Sequence, residues 1–309
     1  PKQGARGSKA MVSSSHPAVT QAALDVLRDG GNAVDALLTA MPVQHVVEPQ
    51  MSTLAGGFGL LYWEAATGKA TYLNANLDRA KGAAITNDSV PETSGRRISV
   101  PGTVVGMQAL AEQFGTRAWE SYFQPAIGLA DAGFPMYSFL YGEMASAWHR
   151  ISYHPSGRAQ YTPVGYIPPV GTTFRQPALA AAMRRLAQDD GVEWFQRGEW
   201  ARSFVHAVNE TGGQITEADL AGYEPLRFRA FGNDMIGGPS PEYGPAYAAV
   251  GLGILERAGL SGTNWLESPR DLALIARALA VSESYVLRYF LDPVAFDVPS
   301  DLLLSHEFL

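Results

Sequence analysis

Apolar positions along the chain follow two spacings, and these predict helices interspersed with a few short strands. Residues 10–13 (Ala-Met-Val-Ser) have the apolar run of a first strand, ended by the turn former His16-Pro17. From Val19 onward, Ala22, Ala23, Val26 and Leu27 recur at helical spacing, and Gly30-Gly31 stop the helix. Asn32 is placed to cap a second helix carrying Val34, Leu37, Leu38 and Met41. A glycine-rich stretch over residues 53–59 leads into Leu60-Leu61-Tyr62-Trp63, predicted as a buried strand. Ala66-Thr67-Gly68-Lys69 reads as a hairpin turn before a second strand over residues 70–73.

The middle of the chain is predicted helical. Residues 102–114 and 121–132 carry apolar faces of period 3.6. Residues 153–171, rich in Pro, Gly and Tyr, predict an ordered excursion or a surface loop. Three further helices fit residues 176–187, 192–209 and 216–221, the last with Thr216 and Asp219 at capping-box spacing. After Gly237-Gly238-Pro239-Ser240-Pro241, helices are expected over 247–257 and 269–290. No repeat, low-complexity tract or linker interrupts the chain, which reads as one continuous unit over 1–309. Its last residues, 301–309, end on apolar side chains, as a chain cut from a longer precursor would.

Composition narrows the function classes. Of 309 residues, 46% are hydrophobic and 17% charged, which excludes a disordered chain and points to surface buried in a core or against a partner. The net charge of -7, with no basic stripe, argues against nucleic acid as a partner. With no cysteine, disulfides, thiolate metal sites and a cysteine nucleophile are excluded. The longest apolar runs, such as 246–255, are broken by Gly251 and Gly253, so no membrane span is predicted. Residues 1–8 are polar and lack a signal core, so a cytoplasmic location is expected unless an export signal has been removed.

No common catalytic constellation is complete. There is no Gly-x-x-x-x-Gly-Lys-Ser/Thr phosphate loop, and Gly56-Gly57-Phe58-Gly59 reads as a close backbone approach. The six histidines do not pair on a helix face; His149 and His154 straddle a loop before Pro155. No metal or other cofactor is therefore expected. Ser13-Ser14-Ser15-His16 reads as a turn and helix cap, no serine lies in a Gly-x-Ser-x-Gly elbow, and Asp189-Asp190 reads as solvated. Asn87-Asp88-Ser89 and Asn209-Glu210-Thr211 match the glycosylation triplet, a pattern that chance often produces. Gly251-Leu252-Gly253 reads as helix packing.

The order of motifs resembles the large subunit of the γ-glutamyltranspeptidase family of N-terminal nucleophile (Ntn) hydrolases. His16-Pro17 through Leu27 and then Gly30-Gly31-Asn32-Ala33-Val34-Asp35-Ala36 resemble the family's opening signature. Glu48-Pro49, the glycine-rich stretch, Val100-Pro101-Gly102-Thr103-Val104, Pro125 to Ala130 and Gly133-Phe134-Pro135 follow in family order. So do Gln176-Pro177-Ala178-Leu179, Phe195-Gln196-Arg197-Gly198, Gly212-Gly213, Asp219-Leu220-Ala221-Gly222-Tyr223 and Asp292-Pro293. The resemblance implies an α+β, four-layer αββα sandwich built from a self-cleaved precursor. It also implies that the nucleophile is a threonine opening a small-subunit partner, so that this chain supplies no catalytic residue of its own. Residues 1–309 would then be the large-subunit part of a heterodimer, not an independent domain.

Departures from the family pattern bear on substrate. The family's carboxylate-binding arginine falls at Asn76 in Leu73-Asn74-Ala75-Asn76-Leu77-Asp78-Arg79-Ala80, with Arg79 three residues on. The glycine run is Leu54-Ala55-Gly56-Gly57-Phe58, Ser284-Tyr285-Val286 stands for Ala-Asp-Arg, and residues 239–244 replace a Pro-Ser-Ser-Gly-Gly-like segment. Together these point to an altered substrate. The resemblance, which extends to relatives in natural-product pathways, then implies a hydrolase acting on a small amino-acid-derived molecule, through an amide or a carbon–carbon bond as in 4-alkylproline antibiotic pathways. The alternatives are an ordinary γ-glutamyltransferase or glutathione hydrolase, and an uncleaved non-enzymatic homologue. Asn76, Arg79, Asn74 and Phe58 are the candidate substrate-binding residues; Tyr62 and Trp63 are expected in the core.

Overall fold

A computed structural model describes residues 5–83, 89–229, 243–260, 267–289, 299–303 and 305. They group into two compact units. One holds the chain up to Phe58 together with Ala75–Pro225; the other holds Gly59–Asn74 and the described residues from Leu226 onward.

The first unit is built around helices α1 (Pro17–Arg28) and α2 (Ala33–Val47). His16 caps α1, its Nδ1 accepting from the Ala18 N–H at 3.1 Å, with Pro17 at the first helical position. Gly30, at φ +83°, ends the helix. Asn32 and Asp35 form a reciprocal capping box on α2: Asn32 Oδ1 accepts from the Val34 and Asp35 N–H groups, and Asp35 Oδ2 accepts from the Asn32 N–H. Helix α2 is buried nearly all round, from Val34 and Leu38 to Val46 and Val47, which is why no single apolar stripe marks it.

Strands β1 (Phe58–Glu64) and β2 (Lys69–Ala75) follow, then α3 (Thr103–Phe114), α4 (Gln124–Ala132), β3 (Phe134–Pro135), α5 (Ser138–Ser146), α6 (Trp148–Ile151), α7 (Pro155–Tyr161) and β4 (Thr173–Phe174). Helices α8 (Pro177–Leu186), α9 (Gly191–Gln196), α10 (Glu199–Glu210) and α11 (Glu217–Ala221) complete the first unit, to which β1 and β2 give only Phe58 and Ala75. Thr216 and Asp219 form the expected capping box. Behind α10 and α11, Val100, Val105, Ala201, Val208, Ile215, Leu220 and Tyr223 form a buried cluster. Phe195, Trp200 and Phe204 stack along its side, with centroids 3.9 and 4.8 Å apart.

In the second unit, β1, β2 and β5 (Leu226–Arg229) form a sheet in the order β1-β2-β5. β2 and β5 are antiparallel, with Thr71 opposite Arg229 and Asn74 opposite Leu226. Helices α12 (Tyr243–Arg257) and α13 (Pro269–Tyr289) pack through Ala246, Val250 and Val286, joined by Leu303 of α14 (Ser300–Leu303). Gly251 faces Ser282, whose Oγ would lie 3.2 Å from a Cβ placed there, so Gly251 serves helix packing as expected.

Several expectations need correction. Residues 10–13 form no strand; they lie exposed or half-exposed, and among the described residues no strand pairs with them. The β1 strand is not buried on both faces: Leu61 is 42% and Trp63 53% exposed, so Trp63 is not a core residue. The helix expected over 192–209 is two helices, broken at Gly198, where a Cβ would come within 2.6 Å of Trp194 Cα. The excursion over 153–171 contains α7, and α5, α6 and the β3–β4 pair were not anticipated. Residues 84–88, 230–242 and 290–298 lie outside the described set, and with them Asn87, Asp88, Gly237-Gly238, residues 239–242 and Asp292-Pro293.

Candidate functional site

The glycine-rich stretch is held against the start of α3. The Gly56 carbonyl accepts from the Gly102 N–H at 2.9 Å and the Thr103 N–H at 3.1 Å. This contact brings Gly57 onto the main chain just after β2. A Cβ on Gly57 would lie 2.7 Å from the Cα and carbonyl carbon of Asn76 and from the Leu77 nitrogen, so only glycine fits. Phe58 is half-buried, its ring edge 2.8 Å from where a Gly106 side chain would begin on α3. Phe58 therefore packs on a helix beside the glycine stretch.

Asn76 is half-buried, and its backbone carbonyl accepts a 2.7 Å hydrogen bond from the Tyr223 hydroxyl. Burial pushes the Tyr223 phenol well above its ordinary range, with the Asp78 carboxylate adding to the shift, so this hydroxyl stays a donor. Two residues on, Asp78 exchanges backbone hydrogen bonds of 2.9 and 2.7 Å with Val100. The Lys81 N–H donates to Asp219 Oδ1 at 3.0 Å. Burial alone would raise the Asp219 carboxyl; bonds from the Thr216 hydroxyl and from the Lys81 and Thr216 N–H groups hold it below the usual range.

The four candidate residues thus fall into three environments. The Gly57 contact sets the Asn76 backbone against the chain just before Phe58, whose ring packs on Gly106 of α3. Asn74 is 8% exposed and lies within the sheet, opposite Leu226. Arg79 is exposed, and its guanidinium donates to the Ala83 carbonyl. The sequence did not single out Tyr223 and Asp219 as neighbours of the Asn76 segment. Their signal was present, since Asp219 to Tyr223 is one of the ordered motifs, but nothing in a linear spacing shows which loop such a motif touches.

The remaining polar motifs serve structure. His149 pairs with Glu92, His154 Nδ1 caps α7, and the Asn209 side chain donates to the Ile215 carbonyl at 2.9 Å. Asp190 is held by Arg185 at 2.5 and 2.6 Å on the surface. The Ser15 hydroxyl donates to the buried Glu48 carboxylate next to the His16 cap. Among the described residues, no three His, Cys, Asp or Glu side chains could hold a metal ion, and no helix is long and apolar enough to cross a membrane.

The sequence matches the gamma-glutamyltranspeptidase family over residues 19–309. The chain belongs to that family. It is 28% identical over 324 residues to the glutathione hydrolase proenzyme of Bacillus subtilis (strain 168), covering all of this chain and 54% of that protein. It is 29% identical to the acylase ACY 1 proenzyme of Pseudomonas sp. (strain V22), over 99% of this chain and 58% of that one. The chain thus spans a little over half the length of these curated relatives. The crystal structure of Helicobacter pylori γ-glutamyltranspeptidase superposes with a TM-score of 0.91 at 24% identity, over 99% of this chain and 91% of that chain. The α+β fold of the γ-glutamyltranspeptidase Ntn hydrolases, expected from the motif order, is therefore the fold of this chain.

Proposed function

We propose that this γ-glutamyltranspeptidase-family chain is the large-subunit part of a self-cleaved hydrolase that acts on a small amino-acid-derived acyl compound other than an ordinary γ-glutamyl amide. The observation that carries this reading is the environment at the arginine position. Asn76 stands there, and Arg79 is exposed and turned to the Ala83 carbonyl. An amide can hydrogen-bond a ligand but cannot hold a carboxylate through two charge-assisted bonds. Replacing such a clamp forfeits about 1.5–3 kcal/mol of binding. The acylase name carried by one relative supports an acyl substrate of a different shape.

In this reading the companion chain opens with a threonine. Its free amine takes the proton from its own hydroxyl, the oxygen attacks the acyl carbon, and the leaving group departs with that proton. Backbone N–H groups stabilise the tetrahedral oxyanion, and water then releases the acyl group and frees the threonine. This chain supplies walls and orienting groups: Asn76 as a neutral amide and Phe58 beside it. The second reading, an ordinary glutathione hydrolase, draws support from the Bacillus subtilis relative.

Two chromogenic amides differing by one carboxylate separate these readings. γ-Glutamyl-p-nitroanilide carries it and 4-aminobutyryl-p-nitroanilide lacks it. With the mature two-chain protein, kcat/KM for the second is expected to equal or exceed that for the first. A preference of about a hundredfold for the γ-glutamyl compound would establish the glutathione-hydrolase reading instead. Recovery of one uncleaved polypeptide without a free N-terminal threonine would remove both.

A further inference from the structure

We infer that the segment from Asp219 to Tyr223 is a two-point clamp that positions Asn76 for substrate; this rests on the reading of Asn76 given above. The first point is the Tyr223 hydroxyl on the Asn76 carbonyl, at 2.7 Å. The second is the Asp219 carboxylate on the Lys81 N–H, at 3.0 Å. Between these anchors the loop is tied by the Asp78–Val100 bridge, and Ala80 enters the same buried cluster as Leu220 and Tyr223.

The clamp is itself braced. Gln196 Nε2 donates to the Leu220 carbonyl at 3.3 Å and to the Tyr223 carbonyl at 3.2 Å, and Arg197 donates to the Ala221 carbonyl at 2.8 Å. On the opposite side the Tyr223 phenol lies against Gly102, where a Cβ would come within 2.6 Å of the Tyr223 Cζ. Gly102 in turn holds Gly56, and Gly57 presses on the Asn76 backbone. Asn76 is thus gripped on its main chain from two sides, by Tyr223 and by Gly57, and its side chain inherits a fixed origin. Preorganisation of this kind lowers the ordering cost of binding. Tyr223 and Asp219 are positioning residues: they act on substrate through Asn76.

The test uses the mature two-chain protein with Tyr223→Phe, Asn76→Ala and the double variant. Activity is read with the two p-nitroanilides, and hydrogen–deuterium exchange is read on the peptide covering residues 76–83, with residues 177–186 as control. Tyr223→Phe is expected to speed exchange at 76–83 alone and to raise KM about fivefold with kcat little changed. In the Asn76→Ala background the same substitution is expected to add less than twofold. Unchanged exchange at 76–83 would overturn the clamp, as would losses that multiply independently. Faster exchange with Asn76→Ala fully active would leave the clamp standing as a structural device and remove the substrate role of Asn76. If neither amide is turned over, the proposed amide hydrolysis fails, and exchange still decides the clamp. Should Tyr223→Phe not fold, Gln196→Ala, which removes the brace, takes its place with the same expected outcomes.

Discussion

The hydroxyl of Tyr122 donates a 2.8 Å hydrogen bond to Asp35, a fully buried carboxylate near the start of α2. Asp35 also accepts from the Thr116 N–H at 2.8 Å, the Thr116 hydroxyl at 2.6 Å and the Asn32 N–H at 2.9 Å. Burial would raise this carboxyl, but the four donors hold it below its ordinary value; burial and Asp35 together push Tyr122 up to about 12. The acid of the Gly-Gly-Asn-Ala-Val-Asp signature therefore ties α2 to the segment that follows α3.

Asp35→Ala leaves these donors facing an apolar gap. We expect it to lower unfolding free energy by about 3–5 kcal/mol in urea titration. Because the folded carboxyl titrates lower than the unfolded one, its contribution is present above the ordinary carboxyl range and is lost as pH falls through the folded value. The variant's stability should depend less on acid pH than the parent's. A loss below about 1 kcal/mol would show that Asp35 is dispensable.

His45, on α2, is 6% exposed, and neither ring nitrogen has a hydrogen-bond partner among the described residues. Burial lowers its pKa from 6.5 to about 4. The unfolded chain takes up the proton first, so stability falls as pH drops from near 6.5 towards 4, by at most about 3 kcal/mol, and His45 adds no further slope below that. His45→Leu should flatten this part of the profile and match or exceed parental stability at pH 7, since two unsatisfied buried atoms disappear. An unchanged acid slope in thermal melts would refute it.

Tyr223 and Gly57 grip the Asn76 backbone, so truncating its side chain tests the substrate role with that grip in place. Asn76→Ala is expected to reduce kcat/KM about tenfold or more on the better p-nitroanilide, with little change in Tm. Asn76→Arg should raise turnover of the γ-glutamyl compound relative to 4-aminobutyryl, partially, because Leu54-Ala55 still replace glycines nearby. Parental kinetics in both variants would take Asn76 out of the site.

Arg79, by contrast, spends its guanidinium on the Ala83 carbonyl at the surface. Arg79→Ala is expected to change kcat/KM less than about twofold on either amide. A large selective loss on the γ-glutamyl compound would instead mark Arg79 as the displaced carboxylate clamp.

Local chemistry was readable from the chain alone wherever neighbours in sequence are partners in space. His16 and Asn32 capping α1 and α2, the Thr216–Asp219 box and the Gly68 hairpin turn are interactions within four residues. The α+β fold was legible only through the resemblance of the ordered motifs to the γ-glutamyltranspeptidase family. Long-range pairing decided the rest. Gly57 on Asn76, Tyr223 on the Asn76 carbonyl and Thr116 on Asp35 join residues 19, 147 and 81 positions apart, where periodicity carries no information. The outward turn of Arg79, the exposure of Trp63 and the missing strand at residues 10–13 have the same origin. Each depends on which backbone or solvent lies opposite, and that is settled only when distant segments close on one another.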